Sequence, residues 1–227
     1  MKTFLISIHP KFIDSYKEFG VFKSAIEKNL ATIECINLRN FAVDKHGSID
    51  SRPYGGGDGM VMRPEPLAAA VSSIKEENPY VIMTSPRGKT WKEADAHRLL
   101  KLNRPLVFVC GRFAGVDERF ITQYVDEEIS VGDFIVSGGE LPALLILDSI
   151  LRHIPGALGH EESAQIDSFG ERLEGQLEFP LYTKPLEFEG LAVPEVLLSG
   201  HHQVIEDWRK KQSGLTTQKF RPDLNKS

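Results

Sequence analysis

Cysteine is scarce in this chain. Its 227 residues include two, Cys35 and Cys110, far apart in sequence. Two distant thiols make no disulfide framework and offer no paired-Cys spacing for zinc, and they point to a reducing cytoplasm. The adjacent His201-His202 pair has no histidine four residues away, so a helical metal pair is missing too. Long apolar runs are also absent, which excludes a membrane span. The run over residues 1–8 stops at His9-Pro10, too short for a signal peptide, and reads as a first buried strand. No G-x-G-x-x-G occurs, so the dinucleotide fingerprint is excluded. The nearest approach to a phosphate loop, Gly88-Lys89-Thr90, has Met83 where the upstream glycine must stand.

What is present is ordinary for a soluble globular protein: 41% hydrophobic and 26% charged residues. The net charge of −5 argues against a phosphate backbone as partner. Its distribution points the other way. From Asp207 to Ser227 there are six basic residues against two acids, a basic island on an acidic protein. Read alone, the island is equally a solvated helix face.

Apolar strand-like runs occupy residues 3–8, 31–36, 80–84, 106–110 and, less regularly, 128–136. Helical patterns lie between them at 17–29, 66–75, 93–102 and 118–124. The alternation predicts an α/β fold with a mostly parallel sheet covered on both faces. Residues 142–153 read as a helix apolar nearly all round, hence buried, and Pro155-Gly156 ends it. Polar residues from 159 to 175 read as a mobile linker, and 200–211 carries helical signals of a small second domain. The expected domains are 1–158, a linker over 159–175, and 176–227.

Three predicted strand ends combine small residues with glycine: Thr84-Ser85-Pro86-Arg87-Gly88, Cys110-Gly111-Arg112-Phe113-Ala114-Gly115, and Ser130 to Gly139. Open α/β sheets bind ligands beyond the carboxyl ends of their strands, so three such loops can converge on one site. The third lies within Glu128-Ile129-Ser130-Val131-Gly132-Asp133-Phe134-Ile135-Val136-Ser137-Gly138-Gly139-Glu140-Leu141-Pro142, the most informative stretch of the chain. Glycines there mean a tight bend or a close approach to the backbone.

Those residues also carry a resemblance. Pro53-Tyr54-Gly55-Gly56-Gly57-Asp58-Gly59-Met60, Cys110-Gly111-Arg112, Gly115-Val116-Asp117-Glu118-Arg119, Ser137-Gly138-Gly139-Glu140-Leu141-Pro142, Asp167-Ser168-Phe169, Tyr182-Thr183-Lys184-Pro185 and Arg221-Pro222-Asp223-Leu224 resemble, in order, the TrmD family of bacterial tRNA (guanine-N1)-methyltransferases. The resemblance covers nearly the whole chain. It implies the SPOUT fold, an α/β domain closed by a deep trefoil knot, with a small helical C-terminal domain. It also implies a homodimer that binds S-adenosylmethionine in the knot loops. The implied substrate is tRNA with guanosines at positions 36 and 37, methylated at N1 of the second.

Matched residue by residue, the resemblance assigns Asp167 as the base that removes the N1 proton and Arg152 as the cation facing the charge that spreads to O6. Read from sequence alone, Asp167-Ser168 is equally a helix cap, and Arg152 complements a helix C-terminus. Implied cofactor contacts are Thr84, Ser85, Pro86, Gly111, Ser130, Val131, Gly132, Phe134, Val136, Gly138 and Gly139. Implied substrate contacts are Tyr54, Gly57, Gly59 and Ser168 near the base, with His202, Arg209, Lys210 and Lys211 on tRNA phosphates. The chain departs from the family at Phe113-Ala114, where Tyr-Glu is usual, at Phe134, where Tyr is frequent, and at His9, where Phe is usual. The carboxylate missing at Ala114 bears on the magnesium requirement and on contacts to the acceptor base. Alternative readings are a tRNA-binding SPOUT protein with lost catalysis, or a SPOUT methyltransferase for another RNA position.

Overall fold

The structure is a computed structural model and describes residues 1–159 and 166–225. By their contacts the residues form two compact units, Met1–Gly159 and His160–Ser227.

The first unit is built on a five-stranded sheet. Its strands are β1 (Lys2–Ser7), β2 (Thr32–Asn37), β5 (Tyr80–Thr90), β6 (Leu106–Val109) and β7 (Glu127–Ser130), in the order β2-β1-β6-β5-β7. Every neighbouring pair is parallel. The inner strands β1 and β6 and the first half of β5 are apolar on both sides, and the pleat sends alternate residues to opposite faces. Leu5, Ile82 and Phe108 enter one core, while Phe4, Ile6, Val81, Met83, Val107 and Val109 enter the other. The first core is covered by α2 (Gly20–Glu27), α4 (Glu93–Lys101) and α6 (Glu140–Leu151) through Phe22, Leu99, Leu144 and Leu147. The second is covered by α3 (Pro64–Ser72) and α5 (Glu118–Tyr124) through Leu67, Val71 and Phe120.

Element boundaries differ from the sequence expectation in instructive ways. A helix α1 (Pro10–Tyr16) precedes α2, where one helix over 17–29 is predicted. Pro10 opens it, as the missing N–H of proline costs nothing in a first turn. Strand β5 continues past Thr84 to Thr90, but its register against β7 slips, because Thr84 and Lys89 both face Ile129. Residues 85–88 therefore bulge out of the ladder at its carboxyl end. Helix α6 starts at Glu140 and is not buried all round: Leu141 and Leu145, one turn apart, are 56% and 52% exposed. A short hairpin, β3 (Asp50–Ser51) with β4 (Val61–Met62), encloses the glycine-rich loop at 53–60.

In the second unit, α7 (His202–Phe220) runs well beyond residue 211. It packs through hydroxyls, a face without apolar period. Buried Ser213 donates to the Leu177 carbonyl at 2.6 Å, and buried Thr217 accepts from the Leu177 N–H at 2.9 Å. The hairpin β8 (Glu187–Phe188) and β9 (Leu191–Ala192) turns through Glu189 and Gly190, both at positive φ. Of the stretch read as a linker, residues 160–165 lie outside the described residues. Residues 166–175 form a turn and a 3-10 segment, Glu171–Leu173.

Candidate functional site

The carboxyl ends of β5, β6 and β7 surround a cleft of about 400 Å³. The bulge after Thr84 forms one wall, residues 111–116 after β6 the second, and residues 130–139 after β7 the third. All eleven residues expected to touch a cofactor line it: Thr84, Ser85, Pro86, Gly111, Ser130, Val131, Gly132, Phe134, Val136, Gly138 and Gly139. The third wall is folded on itself. Buried Ser130 accepts from the Gly132 N–H at 3.1 Å and donates to the Gly132 carbonyl at 3.2 Å.

The second and third walls are held against each other by backbone. The Gly139 N–H donates to the Gly111 carbonyl at 2.8 Å, and Thr84 Oγ1 donates to the Gly139 carbonyl at 3.3 Å. A side chain at Gly139 would begin 2.8 Å from Cys110 Cα and Gly111 N, so only glycine fits. Such a cleft offers backbone N–H and C=O groups at close range, with apolar side chains from Val131, Phe134, Ile135 and Val136 along its third wall.

Charged residues line it as well, and sequence reasoning missed them. At one end, Arg87 donates to both oxygens of Glu128 at 2.9 and 3.0 Å and to Glu118 at 2.9 Å. These hydrogen bonds push the Arg87 guanidinium further toward its charged form. Arg112 also faces the cleft, with its Nη1 donating to the Ser137 carbonyl at 2.9 Å. The signal available in sequence was only that both arginines stand inside the glycine-bearing loops.

The Tyr54–Gly59 loop abuts the second wall. The Ala114 N–H donates to the Met60 carbonyl at 2.8 Å, and the Met62 N–H to the Gly115 carbonyl at 2.9 Å. Tyr54 is 99% exposed, and Gly57 and Gly59 have positive φ. Among the described residues no group of three or more His, Cys, Asp or Glu side chains is placed to hold a metal ion. No helix of the described residues is long and apolar enough to cross a membrane.

Arg152 caps the C-terminus of α6, with its N–H donating to the Asp148 carbonyl at 3.2 Å. Burial pushes the Asp148 carboxyl up, and the Arg152 charge opposes that shift. Asp167 belongs to the second unit. It stands in a turn closed by the Gly170 N–H on its carbonyl at 2.9 Å, and Gly170, not Asp167, is the cap of the 3-10 segment that follows. Beside it Ser168 Oγ accepts from the Glu178 N–H at 2.9 Å. Burial and then the Asp167 charge push the Glu178 carboxyl up.

On α7, His202 is the first helical residue, and Lys210 and Lys211 are exposed. Arg209 is otherwise engaged: it donates to Glu206 at 2.6 Å, and its guanidinium lies 5.0 Å from the Phe179 ring centre.

The family model described as tRNA (Guanine-1)-methyltransferase TrmD matches residues 1–227. The chain belongs to the TrmD family. Curated members similar to it carry the name tRNA (guanine-N(1)-)-methyltransferase. One from Sulfurihydrogenibium sp. (strain YO3AOP1) is 49% identical over 226 residues, which is 99% of this chain and 87% of that one. One from Geobacter sulfurreducens is 44% identical over 226 residues, 99% of this chain and 91% of that one. One from Clostridium perfringens (strain 13) is 46% identical over 225 residues, 99% and 93% of the two chains. The likeness to this TrmD group runs through both units.

Proposed function

We propose that the protein methylates N1 of a guanosine in tRNA, using S-adenosylmethionine held in the cleft at the ends of β5, β6 and β7. The observation that carries the reading is the convergence of three separate strand-end loops on one cleft, in a chain that matches the TrmD family from end to end. Its volume of about 400 Å³ and its mixed lining of backbone and apolar side chains suit a nucleoside-sized group. Gly138 and Gly139 supply the close backbone approach. When bound, S-adenosylmethionine supplies an electrophilic methyl group on its sulfonium.

The difficulty of the reaction lies in the acceptor. Guanine N1 carries a proton at neutral pH, and its lone pair is free only when that proton leaves. Asp167 takes the proton as general base, a contribution of about 10²–10⁴-fold in rate. The negative charge left on the base spreads to O6, where Arg152 provides the complementary charge. Tyr54, Gly57, Gly59 and Ser168 border the base. His202, Lys210 and Lys211, with Arg209 turned toward Glu206, meet the phosphate backbone.

In this reading 1–158 is the cofactor domain, 159–175 the connection, and 176–227 the RNA-binding domain. The third wall, between β7 and α6, belongs to the trefoil knot of the SPOUT fold in this reading. The target is the guanosine at position 37 after a guanosine at 36. The enzyme works as a homodimer, which the exposed Leu141 and Leu145 on α6 support. The test is methyl incorporation into an unmodified tRNA transcript with guanosines at 36 and 37, mapped to the nucleotide. Methylation elsewhere, or cofactor and tRNA binding without transfer, would favour the alternatives of another RNA position or lost catalysis. Light scattering behind a sizing column tests the dimer.

A further inference from the structure

One polar network in the first unit is drawn into none of these roles. It is a closed ring of four residues: Ser7 and His9, neighbours at the end of β1, with Arg112 and Glu140 from distant parts of the chain. The His9 N–H donates to Ser7 Oγ at 2.9 Å, and Ser7 Oγ donates to Glu140 Oε1 at 2.7 Å. The other carboxylate oxygen, Glu140 Oε2, faces Arg112 Nη1 at 3.7 Å. Arg112 Nη2 closes the ring on His9 Nε2 at 3.0 Å. A guanidinium only donates, so in this contact His9 Nε2 is the acceptor. From this ring Arg112 Nη1 reaches the cleft and donates to the Ser137 carbonyl at 2.9 Å, on the third wall.

The ring is built tightly. The Glu140 side chain is 5% exposed and that of Arg112 24%. Glu140 opens α6, where a carboxylate also meets the helix dipole favourably. Arg112 lies directly over the Gly138 backbone: a Cβ there would collide with Arg112 Cδ and Nη1. The side chain thus presses on one residue of the wall and hydrogen-bonds the residue before it. Its anchors, Ser7 and Glu140, stand at the end of β1 and the start of α6, both in the rigid body of the unit. Lysine could not do this, because a point charge cannot reach three directions in one plane.

We propose that Arg112 is a positioning residue for the cofactor cleft: the His9–Ser7–Glu140–Arg112 ring fixes the Ser137–Gly139 wall in its binding geometry. The inference rests on the cleft holding S-adenosylmethionine. It predicts that cofactor affinity depends on Arg112 beyond what Arg112 does for stability.

The test uses the full chain, with calorimetric titration of S-adenosylmethionine and thermal unfolding side by side. Arg112→Met leaves Glu140 buried without its charged partner, so stability falls and affinity falls with it. Arg112→Met/Glu140→Gln removes both charges. It is expected to recover thermal stability while its Kd stays about 10- to 100-fold above that of the unaltered protein, the equivalent of one hydrogen bond between charged groups and their partners. Arg112→Lys keeps a charge opposite Glu140 and is expected to hold stability with a Kd raised about tenfold. Unaltered Kd in the lysine variant or in the double variant would overturn the proposal, leaving the ring a purely structural feature. If the unaltered protein bound no S-adenosylmethionine, the cofactor reading alone would fall. Amide exchange at Gly138 and Gly139 then decides: faster exchange in Arg112→Lys supports the positioning role, and equal rates refute it.

Discussion

Replacing Gly139 by alanine is the smallest change that probes the cleft. The φ of Gly139 is −75°, ordinary for any residue, so the effect is steric alone. The new methyl group would lie 2.5 Å from Thr84 Oγ1 and 2.8 Å from both Cys110 Cα and Gly111 N. Thr84 can rotate away, but the other two atoms are backbone. Ordinary contact begins at 3.4 Å, so the two walls must part by 3.4 − 2.8 = 0.6 Å. That would stretch the Gly139–Gly111 hydrogen bond, now 2.8 Å. Overpacking of this kind costs roughly 1–3 kcal/mol, or about 5- to 150-fold if expressed wholly in binding. Gly139→Ala is therefore expected to raise the Kd for S-adenosylmethionine by roughly 10- to 100-fold and to lower Tm by about 2–4 °C per kcal/mol. Gly214→Ala is the control. It lies within α7 with nothing inside 4 Å of the added Cβ. It should stabilise by roughly 0.5–1 kcal/mol and leave the Kd unchanged. Isothermal titration and scanning calorimetry on both variants make the comparison. A Gly139→Ala protein that binds the cofactor as tightly as the unaltered one would refute the view that the cofactor sits between these walls.

Three further outcomes are expected. Asp167→Asn should lower single-turnover methyl transfer by about 10²–10⁴-fold with little change in S-adenosylmethionine affinity, and an active variant would move the base elsewhere. Burial pushes the Cys35 thiol up to about 11 and the fully buried Cys110 thiol up as well, so neither should react with iodoacetamide at pH 7.5 until the protein unfolds; prompt labelling of the native protein would contradict this. Burial raises the Asp95 carboxyl, but Lys89 and Arg98 outweigh it and hold the group below its usual value. Its stabilisation is therefore full above the unfolded-state value near 4 and is lost as pH falls through the depressed one. Asp95→Asn should flatten the acid limb of a Tm-against-pH curve, and parallel curves for the two proteins would rule out this linkage.

The centre of the fold was legible because its strands are apolar on both faces. Residues 3–8, 31–36 and 106–110 fall within a residue or so of β1, β2 and β6. The half-polar pieces were not. Ser85 to Lys89 continue β5 through backbone pairing and a bulge, which side-chain pattern does not report. Helix α1 has seven residues, too few to show a period. The far half of α7 turns Ser213 and Thr217 inward, and hydroxyls count as polar in any periodicity. At the cleft, glycine marked the loops well, since close packing of backbone on backbone leaves no other residue. The charged lining was missed for the opposite reason: charged side chains are usually solvated, and only the fold shows that the Glu140 carboxylate is buried and faces Arg112. The chain's connectivity, on which a knot depends, leaves no trace in periodicity at all.

The earliest strand of this sequence is an inner one. β1 lies between β2 and β6, and its pairing Thr3↔Leu106 spans 106 − 3 = 103 residues. At about 5–20 residues per second, synthesis takes roughly 5–20 s to bring that partner out. Once residue 37 is made, a growing chain has β1 and β2 complete, yet the other edge of β1 has nothing to bond until β6 is made. Such an edge invites pairing with another nascent chain. For this protein the hazardous moment is thus set by translation speed between residues 8 and 106. Slowing codons in that stretch should lower soluble yield, while the same codons after residue 130 should not.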